Sequence, residues 1–351
     1  MLLALVPLPA SSSPIDECLT SLRLQTPVTS VHIQPESGYQ PILDEINFAQ
    51  CSIDLSMYIL TSQEIVDALD HAVSRGIHVR VILEKQPFGQ FGDQQEMFDR
   101  LMDIGVEVRW GPERFTYSHA KYLIVDDSVL VVTNQNFTQA GFNRNREAGA
   151  ITTESRYVQE AQGIFEADWT GASFDGEIEH LVVSPINARS TIVGLIEGST
   201  QSVWMYAEVL RDEDVTTALS NAAERGVDVR ILVNESADED DVPYFLDALS
   251  HGVQIRILDS PYVHSKVLIV DGEQALVGSQ NYSYTSLNLN REIGIVISDA
   301  DNLAKLVSVF ARDWSRGEPV DSISISLPAV PSSLTRAAPV GRISFGRWGV
   351  V

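Results

Sequence analysis

Histidine followed two positions later by lysine occurs twice, in SHAKYLIVDD (118–127) and in VHSKVLIVDG (263–272), and the chain has only four lysines in all. Each dipeptide begins a longer register. His119, Lys121, Asp126, Asn136 and Glu147 stand at relative positions 0, 2, 7, 17 and 28, and His264, Lys266, Asp271, Asn281 and Glu292 repeat those positions. An oriented neutral imidazole can attack phosphorus, and a protonated one can give its proton to a leaving alkoxide. Two ammonium groups and two side-chain amides are donors suited to the oxygens of a phosphate or phosphodiester. A glutamate accepting from the far ring nitrogen of a histidine fixes its tautomer and stabilises the imidazolium. No cluster of carboxylates or thiolates suggests a metal, and neither a metal nor a cofactor is expected.

Each member alone has an ordinary explanation. A single histidine beside a strand is usually a surface or core residue, an Asn-Arg-Glu stretch is commonly a solvated loop, and an aspartate before a hairpin is turn chemistry. That last reading is kept for Asp126 and Asp271, as scaffold. Descent from a duplicated ancestor could also preserve such residues without activity. Other duplicated positions have diverged, however: Tyr58 stands opposite Glu208, and His71 opposite Asn221. Retention of the histidine, lysine, asparagine and glutamate in both halves favours a shared chemical task.

The elements that must position these groups are also duplicated. SIDLSMYILTSQEIVDALDHAVSRGIHVRVIL (52–83) matches SVWMYAEVLRDEDVTTALSNAAERGVDVRILV (202–233), and the Asp-Trp pairs at 168–169 and 313–314 share the spacing of the two histidines. Each half reads as α/β. Ser52–Leu60 is a buried strand, and Thr61-x-x-Glu64 a capping box before a helix with Ile65, Leu69, Ala72 and Val73 on one face. Gly76 is the glycine past its C-terminus and HVRVIL the next strand, a right-handed parallel crossover. YLIVDDSVLVVT and VLIVDGEQALVG read as hairpins whose strands are apolar on both faces, hence central. Histidine and lysine two apart on a strand share a face. A lysine at such a buried place is costly unless an anion meets it. The expected organisation is an N-terminal extension (1–39), two repeats (40–180 and 181–316) and a Pro/Ser-rich, weakly ordered tail (317–351).

Two HxKxxxxD motifs, each followed by an asparagine and an Asn-Arg-Glu signature, resemble the phospholipase D superfamily over residues 40–316. The second copy, HSKVLIVDGEQALVGSQN, matches the pattern in full, whereas HAKYLIVDDSVLVVTNQN has Thr133-Asn134 where Gly-Ser is usual. The resemblance implies two tandem α/β repeats, each a mixed, mostly parallel sheet flanked by helices, packed about a pseudo-two-fold axis around one shared site. It implies a two-step, metal-independent transfer through a phosphohistidine: water as acceptor gives hydrolysis, an alcohol gives transphosphatidylation. In this chain His119 would be the nucleophile and His264 the general acid. Lys121, Lys266, Asn136, Asn281 and Ser279 would bind phosphoryl oxygens, and Glu147 and Glu292 would orient the histidines.

Composition narrows the substrate. Forty-eight acidic residues against 24 lysines and arginines leave a net charge of −24 over 351 residues. That repels polyanions and argues against a protein whose affinity for DNA comes from neutralising phosphates, although adaptation to a salty environment gives the same balance. An acidic chain with both motifs in one polypeptide resembles the lipid-directed, cardiolipin-synthase-like members of the superfamily, and that resemblance implies a phospholipid substrate, an alcohol acceptor and transient contact with a membrane surface. Cleavage of single-stranded or structured nucleic acid is the alternative, and an inert head-group-binding protein a third reading. Phe88, Phe91, Phe115, Tyr117 and Tyr262 could stack bases, grip acyl chains or simply pack loops. Cys18 and Cys51 form no metal-ligand spacing and read as two unrelated small apolar residues, with pairing expected only on export. The opening MLLALVPLPASSS faintly resembles a signal segment but lacks basic residues, so exported and cytoplasmic locations stay open. No apolar run is long enough to span a membrane. With both motifs in one chain, a monomer suffices.

Overall fold

The structure is a computed structural model and describes residues 28–89, 94–235 and 240–320, with Ile15, Cys18 and Leu19 ahead of them. The first half runs β1 (Thr29–Gln34), α1 (Gln40–Phe48), β2 (Ser52–Met57), α2 (Gln63–Ser74), β3 (His78–Leu83), α3 (Gln95–Asp103), β4 (Glu107–Trp110), β5 (Tyr122–Val125), β6 (Val129–Thr133), α4 (Gln139–Asn143), β7 (Asn145–Thr152) and α5 (Ser155–Thr170). The second begins with β8 (Leu181–Ser184), α6 (Ala188–Glu197), β9 (Ser202–Ala207), β10 (Leu210–Arg211), α7 (Glu213–Glu224), β11 (Asp228–Val233), α8 (Val242–Ser250) and β12 (Gln254–Ile257). It continues with β13 (Tyr262–Val263), β14 (Lys266–Val270), β15 (Gln274–Gly278), β16 (Tyr282–Ser283), α9 (Tyr284–Asn288), β17 (Glu292–Ile297), α10 (Ala300–Arg316) and β18 (Glu318–Pro319).

Each half is built on one mixed sheet. The strand orders are β1-β7-β6-β5-β2-β3-β4 and β18-β12-β11-β9-β14-β15-β17-β8. Parallel pairing joins β2, β3 and β4 in the first sheet, where β13 of the second half also adds in parallel to β7, and β9, β11 and β12 in the second; the other pairs along these orders are antiparallel. The expected sheets are therefore mixed, but not mostly parallel. The hairpin connections between β5 and β6 and between β14 and β15 allow only antiparallel neighbours.

Both hairpins turn on two residues with positive φ, Asp126 (52°) with Asp127 (50°), and Asp271 (54°) with Gly272 (68°). The aspartate side chains do more than favour the turn. Asp126 accepts the backbone N–H groups of Gln50, Cys51 and Ser52, and Asp271 those of Thr200, Gln201 and Ser202. Each motif aspartate thus ties its hairpin to the start of the neighbouring strand, away from the chemistry.

The strands carrying the motifs are central, as their two-faced apolar pattern requires. Leu123 and Val125 face an outer core with α1, α2 and α3, where Ile42, Ile46 and Leu69 are fully buried. Tyr122 and Ile124 face an inner core with Ile164, Phe165 and Trp169 of α5, which also takes in Leu181, Val183 and Ile293 of the second half. Reciprocally, Phe310 and Trp314 of α10 pack with Val267 and Ile269 and with Ile33 and Ala148 of the first half. Neither half closes its inner core alone.

Several boundaries differ from the sequence reading. The extension placed at residues 1–39 contains β1, which pairs with β7 throughout its length, so the first repeat starts by Thr29. Residues 317–320 belong to the fold too, because β18 pairs with β12 and Val320 is buried; the rest of the Pro/Ser-rich tail and the signal-like opening lie outside the described residues. The cap of α2 is Ser62, not Thr61: its hydroxyl accepts from Ile65 N at 3.3 Å and donates to Glu64. Cys18 and Cys51 are not independent but form a disulfide across 33 residues of sequence.

Candidate active site

The two halves meet through their motifs. β13, immediately before His264, pairs in parallel with Asn145 and Arg146 at the start of β7, and Ser118, immediately before His119, bridges in the same way to Arg291. His119 N donates to Arg291 O at 2.9 Å and His264 N to Arg146 O at 3.3 Å. Side chains lock the exchange. Arg291 pairs with Asp168 of the first half (2.8 and 3.1 Å), and Arg146 with Asp313 of the second (2.6 and 3.3 Å). All four residues are buried. The repeated Asp-Trp pairs seen in the sequence are thus the acidic ends of two exchanged ion pairs.

A cleft of about 450 Å³ opens at this junction, lined by His119, His264, Asn136 and Asn281 among others. Behind the histidines the glutamates are also exchanged. Glu292 accepts from His119 Nδ1 at 2.8 Å, and Glu147 pairs with His264 Nδ1 at 2.7 Å. Both carboxylates are wholly buried. Asn290 and Ser286 donate to Glu292 at 3.1 and 2.7 Å, and Asn145 donates to Glu147 at 3.3 Å. Lys121 and Lys266 are buried beneath the histidines and donate to the carbonyls of His119 and His264 at 2.7 and 2.6 Å. Oδ1 of Asn136 and of Asn281 is buried with no hydrogen-bond partner among the described residues.

Ser279 is the expected phosphate ligand that does not reach the cleft. Its hydroxyl is fully buried, donates to Ile293 O at 3.3 Å and accepts from Ile293 N at 3.1 Å. The equivalent Asn134 does the same work in the first half, accepting from Ala148 N at 2.7 Å, while Thr133 donates to Ala148 O at 3.2 Å. The departure from Gly-Ser therefore costs the first half no phosphate ligand; both positions fasten one strand to the next. Asp126 and Asp271 lie at the turns described above, outside the cleft. Of the aromatic residues, Phe88, Tyr117 and Tyr262 line the cleft, Phe115 lies beneath the guanidiniums of Arg114 and Arg291, and Phe91 is outside the described residues.

Two residues read as neutral divergence lie inside the site. Tyr58 sets its ring against His119, with centroids 4.3 Å apart, and against the Lys121 ammonium at 4.8 Å. Glu208, its counterpart, forms an ion pair with Lys266 and lies 3.4 Å from His264 Nε2. Neither carried a sequence signal, because repetition was the signal and these two do not repeat.

Burial brings His119 down to about 4, with Lys121 and Lys266 adding to the effect and Glu292 opposing it, so this imidazole is neutral at pH 7. Burial likewise lowers Lys121 to about 7, against the pull of Glu292. Burial alone would raise Glu208, but His264 and Lys266 bring it down to about 2. Glu292 is held below the ordinary carboxylate range despite its burial by His119 and Lys121. The site thus couples a neutral imidazole to buried charge of both signs, a setting for nucleophilic and acid–base chemistry on an anion.

Comparison with known proteins agrees with this construction. The family model described as "Cardiolipin synthase, PLD-like domain" matches twice, at residues 42–169 and 192–314. Among curated relatives, a cardiolipin synthase of Geobacillus thermodenitrificans is 27% identical over 341 residues, covering 84% of this chain and 68% of the relative. Cardiolipin synthase 2 of Bacillus anthracis is 28% identical over 324 residues, covering 79% and 63%. Among solved structures, a polyphosphate kinase from Porphyromonas gingivalis superimposes with a TM-score of 0.69 at 17% identity, covering 91% of this chain and 52% of that one. A phosphatidylserine synthase from Haemophilus influenzae gives 0.64 at 13% identity, covering 83% and 87%. With two copies of the family's domain filling most of its length, the chain belongs to the phospholipase D superfamily, in the family of cardiolipin synthase phospholipase D-like domains.

Proposed function

We propose that the protein is a phosphatidyltransferase that acts on phospholipids through a phosphohistidine and needs no metal. The observation that carries this reading is the pair of histidines lining one cleft, each held at Nδ1 by the other half's glutamate. A carboxylate on Nδ1 leaves Nε2 of each ring to the substrate. His119, neutral at pH 7, attacks phosphorus through its Nε2 lone pair as the bond to the leaving alkoxide breaks, and His264 gives that oxygen its proton. In the second step His264 takes the proton of an incoming hydroxyl, whose oxygen displaces His119 from phosphorus. An alcohol as acceptor gives a new phosphodiester and water gives hydrolysis. Lys121, Lys266, Asn136 and Asn281 hold the phosphoryl oxygens, and the anion compensates the lysines' burial. The names of the curated relatives favour lipid, and so does the net charge of −24, which disfavours nucleic acid.

The test presents purified protein, in excess chelator, with phosphatidylglycerol vesicles and separately with a single-stranded oligonucleotide. Mass spectrometry should find cardiolipin with released glycerol, and exchange of the head group when another alcohol is added. Cleavage of the oligonucleotide alone would replace the lipid reading with a nuclease, and turnover abolished by chelator would overturn the metal-independent mechanism.

A further inference from the structure

The site is nearly symmetric, and one position breaks that symmetry. Both histidines meet the opposite half's glutamate at Nδ1, both lysines donate to the carbonyl of their own histidine, and both asparagines line the cleft. Tyr58 and Glu208 follow equivalent strands, β2 and β9, at the same place in each half. Tyr58 presents a neutral ring to His119 and accepts from Phe88 N at 2.6 Å. Glu208 presents a carboxylate to His264 Nε2 and to Lys266.

From this asymmetry we propose that Glu208 is the positioning residue that assigns the two histidines to different tasks, keeping His264 as the proton donor and leaving His119 as the nucleophile. This inference rests on the phosphoryl-transfer reading above. His264 has a carboxylate on each side, Glu147 at 2.7 Å from Nδ1 and Glu208 at 3.4 Å from Nε2. Two carboxylates flanking one ring favour its doubly protonated, charged form electrostatically. Lys266 lies 3.3–3.4 Å from the ring nitrogens and opposes a charge there, but Glu208 pairs with that ammonium and offsets it. Among the described residues, the charges nearest the two histidines are the buried carboxylates of Glu147 and Glu292, the partly buried carboxylate of Glu208 and the buried ammoniums of Lys121 and Lys266, while Arg211 at the cleft wall is already paired with Asp241. With both lysines charged, the carboxylates exceed the ammoniums by one, and an imidazolium at His264 restores balance. Without Glu208 the charges already balance, and Glu147 alone is left to favour that proton against the Lys266 ammonium. His119, facing Tyr58, has no second carboxylate among the described residues within ion-pair distance. At 3.4 Å the Glu208 oxygen is too distant to consume the Nε2 hydrogen, which stays available to the leaving oxygen.

The experiment compares Glu208→Gln with the wild type on two phosphodiesters sharing one phosphatidyl group, an alkyl ester whose leaving alkoxide needs a proton and a p-nitrophenyl ester whose leaving group does not. The expected result is a loss of roughly 10²-fold on the alkyl ester, as for removal of general acid catalysis, with the p-nitrophenyl rate within a few-fold of wild type. The basic limb of kcat/KM for the alkyl ester should move about one unit towards lower pH, as loss of a neighbouring opposite charge requires. Glu208→Asp should recover part of the alkyl-ester rate. The ratio of the two rates within one variant does not depend on how much protein is folded, so a poorly folding variant still decides the matter. Equal losses on both esters would overturn the assignment, and so would an unchanged ratio. A wild-type enzyme that turns over neither ester would instead overturn the phosphoryl-transfer reading.

Discussion

At the scale of single residues, the chemistry rests on burial as much as on residue type. His119 and His32 are both buried, and burial lowers each to about 4. In the unfolded chain both titrate near 6.5. Between those values the unfolded state binds more protons, so stability must fall as pH is lowered through about 6.5 to 4. The urea midpoint should therefore drop over that window, and His32→Gln should flatten the dependence without touching the cleft. Replacing His119 or His264 by alanine should each lower turnover roughly 10³-fold or more, and the double variant should be little worse, because the two act as one unit. Initial rates of alkyl-ester turnover check both expectations. The histidines, lysines, asparagines and glutamates were legible in the sequence because they repeat in register. Glu208 and Tyr58 were not, because their importance lies in their difference.

At the scale of elements, the site is held by reciprocal exchange between the halves. The ion pairs Arg291–Asp168 and Arg146–Asp313 stand beside the strands that carry Glu292 and Glu147. Breaking one leaves a buried charge without its partner. Asp168→Ala should therefore destabilise the protein by about 3–5 kcal/mol, seen as a lower urea midpoint, and Asp168→Leu combined with Arg291→Met should cost less than either change alone. The motif aspartates act more locally. Asp126→Ala orphans the backbone N–H groups of Gln50, Cys51 and Ser52, at a cost of about 1–3 kcal/mol for each donor that stays buried. Its melting temperature should fall while kcat of the folded fraction holds, the opposite of what a catalytic aspartate would show. The strand–helix–strand units and hairpins were readable from periodicity and turn residues. The place of β1 was not, since a six-residue strand far from its partner in sequence carries no local mark of the sheet it joins.

At the scale of the whole molecule, charge and covalent closure set how the protein behaves. A net charge of −24 repels an anionic vesicle, and salt screens that repulsion. Apparent kcat/KM on phosphatidylglycerol vesicles should rise between low and physiological ionic strength, while a soluble short-chain substrate responds less. The Cys18–Cys51 disulfide ties the segment ahead of β1 to the start of β2. Closing a loop of that size contributes about 2–4 kcal/mol in the chain-entropy account, so reduction should lower the melting temperature, and alkylation before reduction should label no cysteine. Among the described residues no helix is long and apolar enough to cross a membrane.

The sequence by itself determined the duplication, the α/β units, the central place of both motif strands and eight of the polar groups that gather at the cleft. All of these follow from local periodicity or from one spacing occurring twice. Only the tertiary structure decided that each histidine takes the glutamate of the other half, that the repeated Asp-Trp pairs close exchanged ion pairs, that Ser279 fastens strands instead of reaching the cleft, and that Tyr58 lies against His119 while Glu208 lies against His264. A one-dimensional repeat gives both copies of each residue the same standing. Which copy meets which is set by how two incomplete inner cores close on one another, and that is a property of packing between segments far apart in the chain.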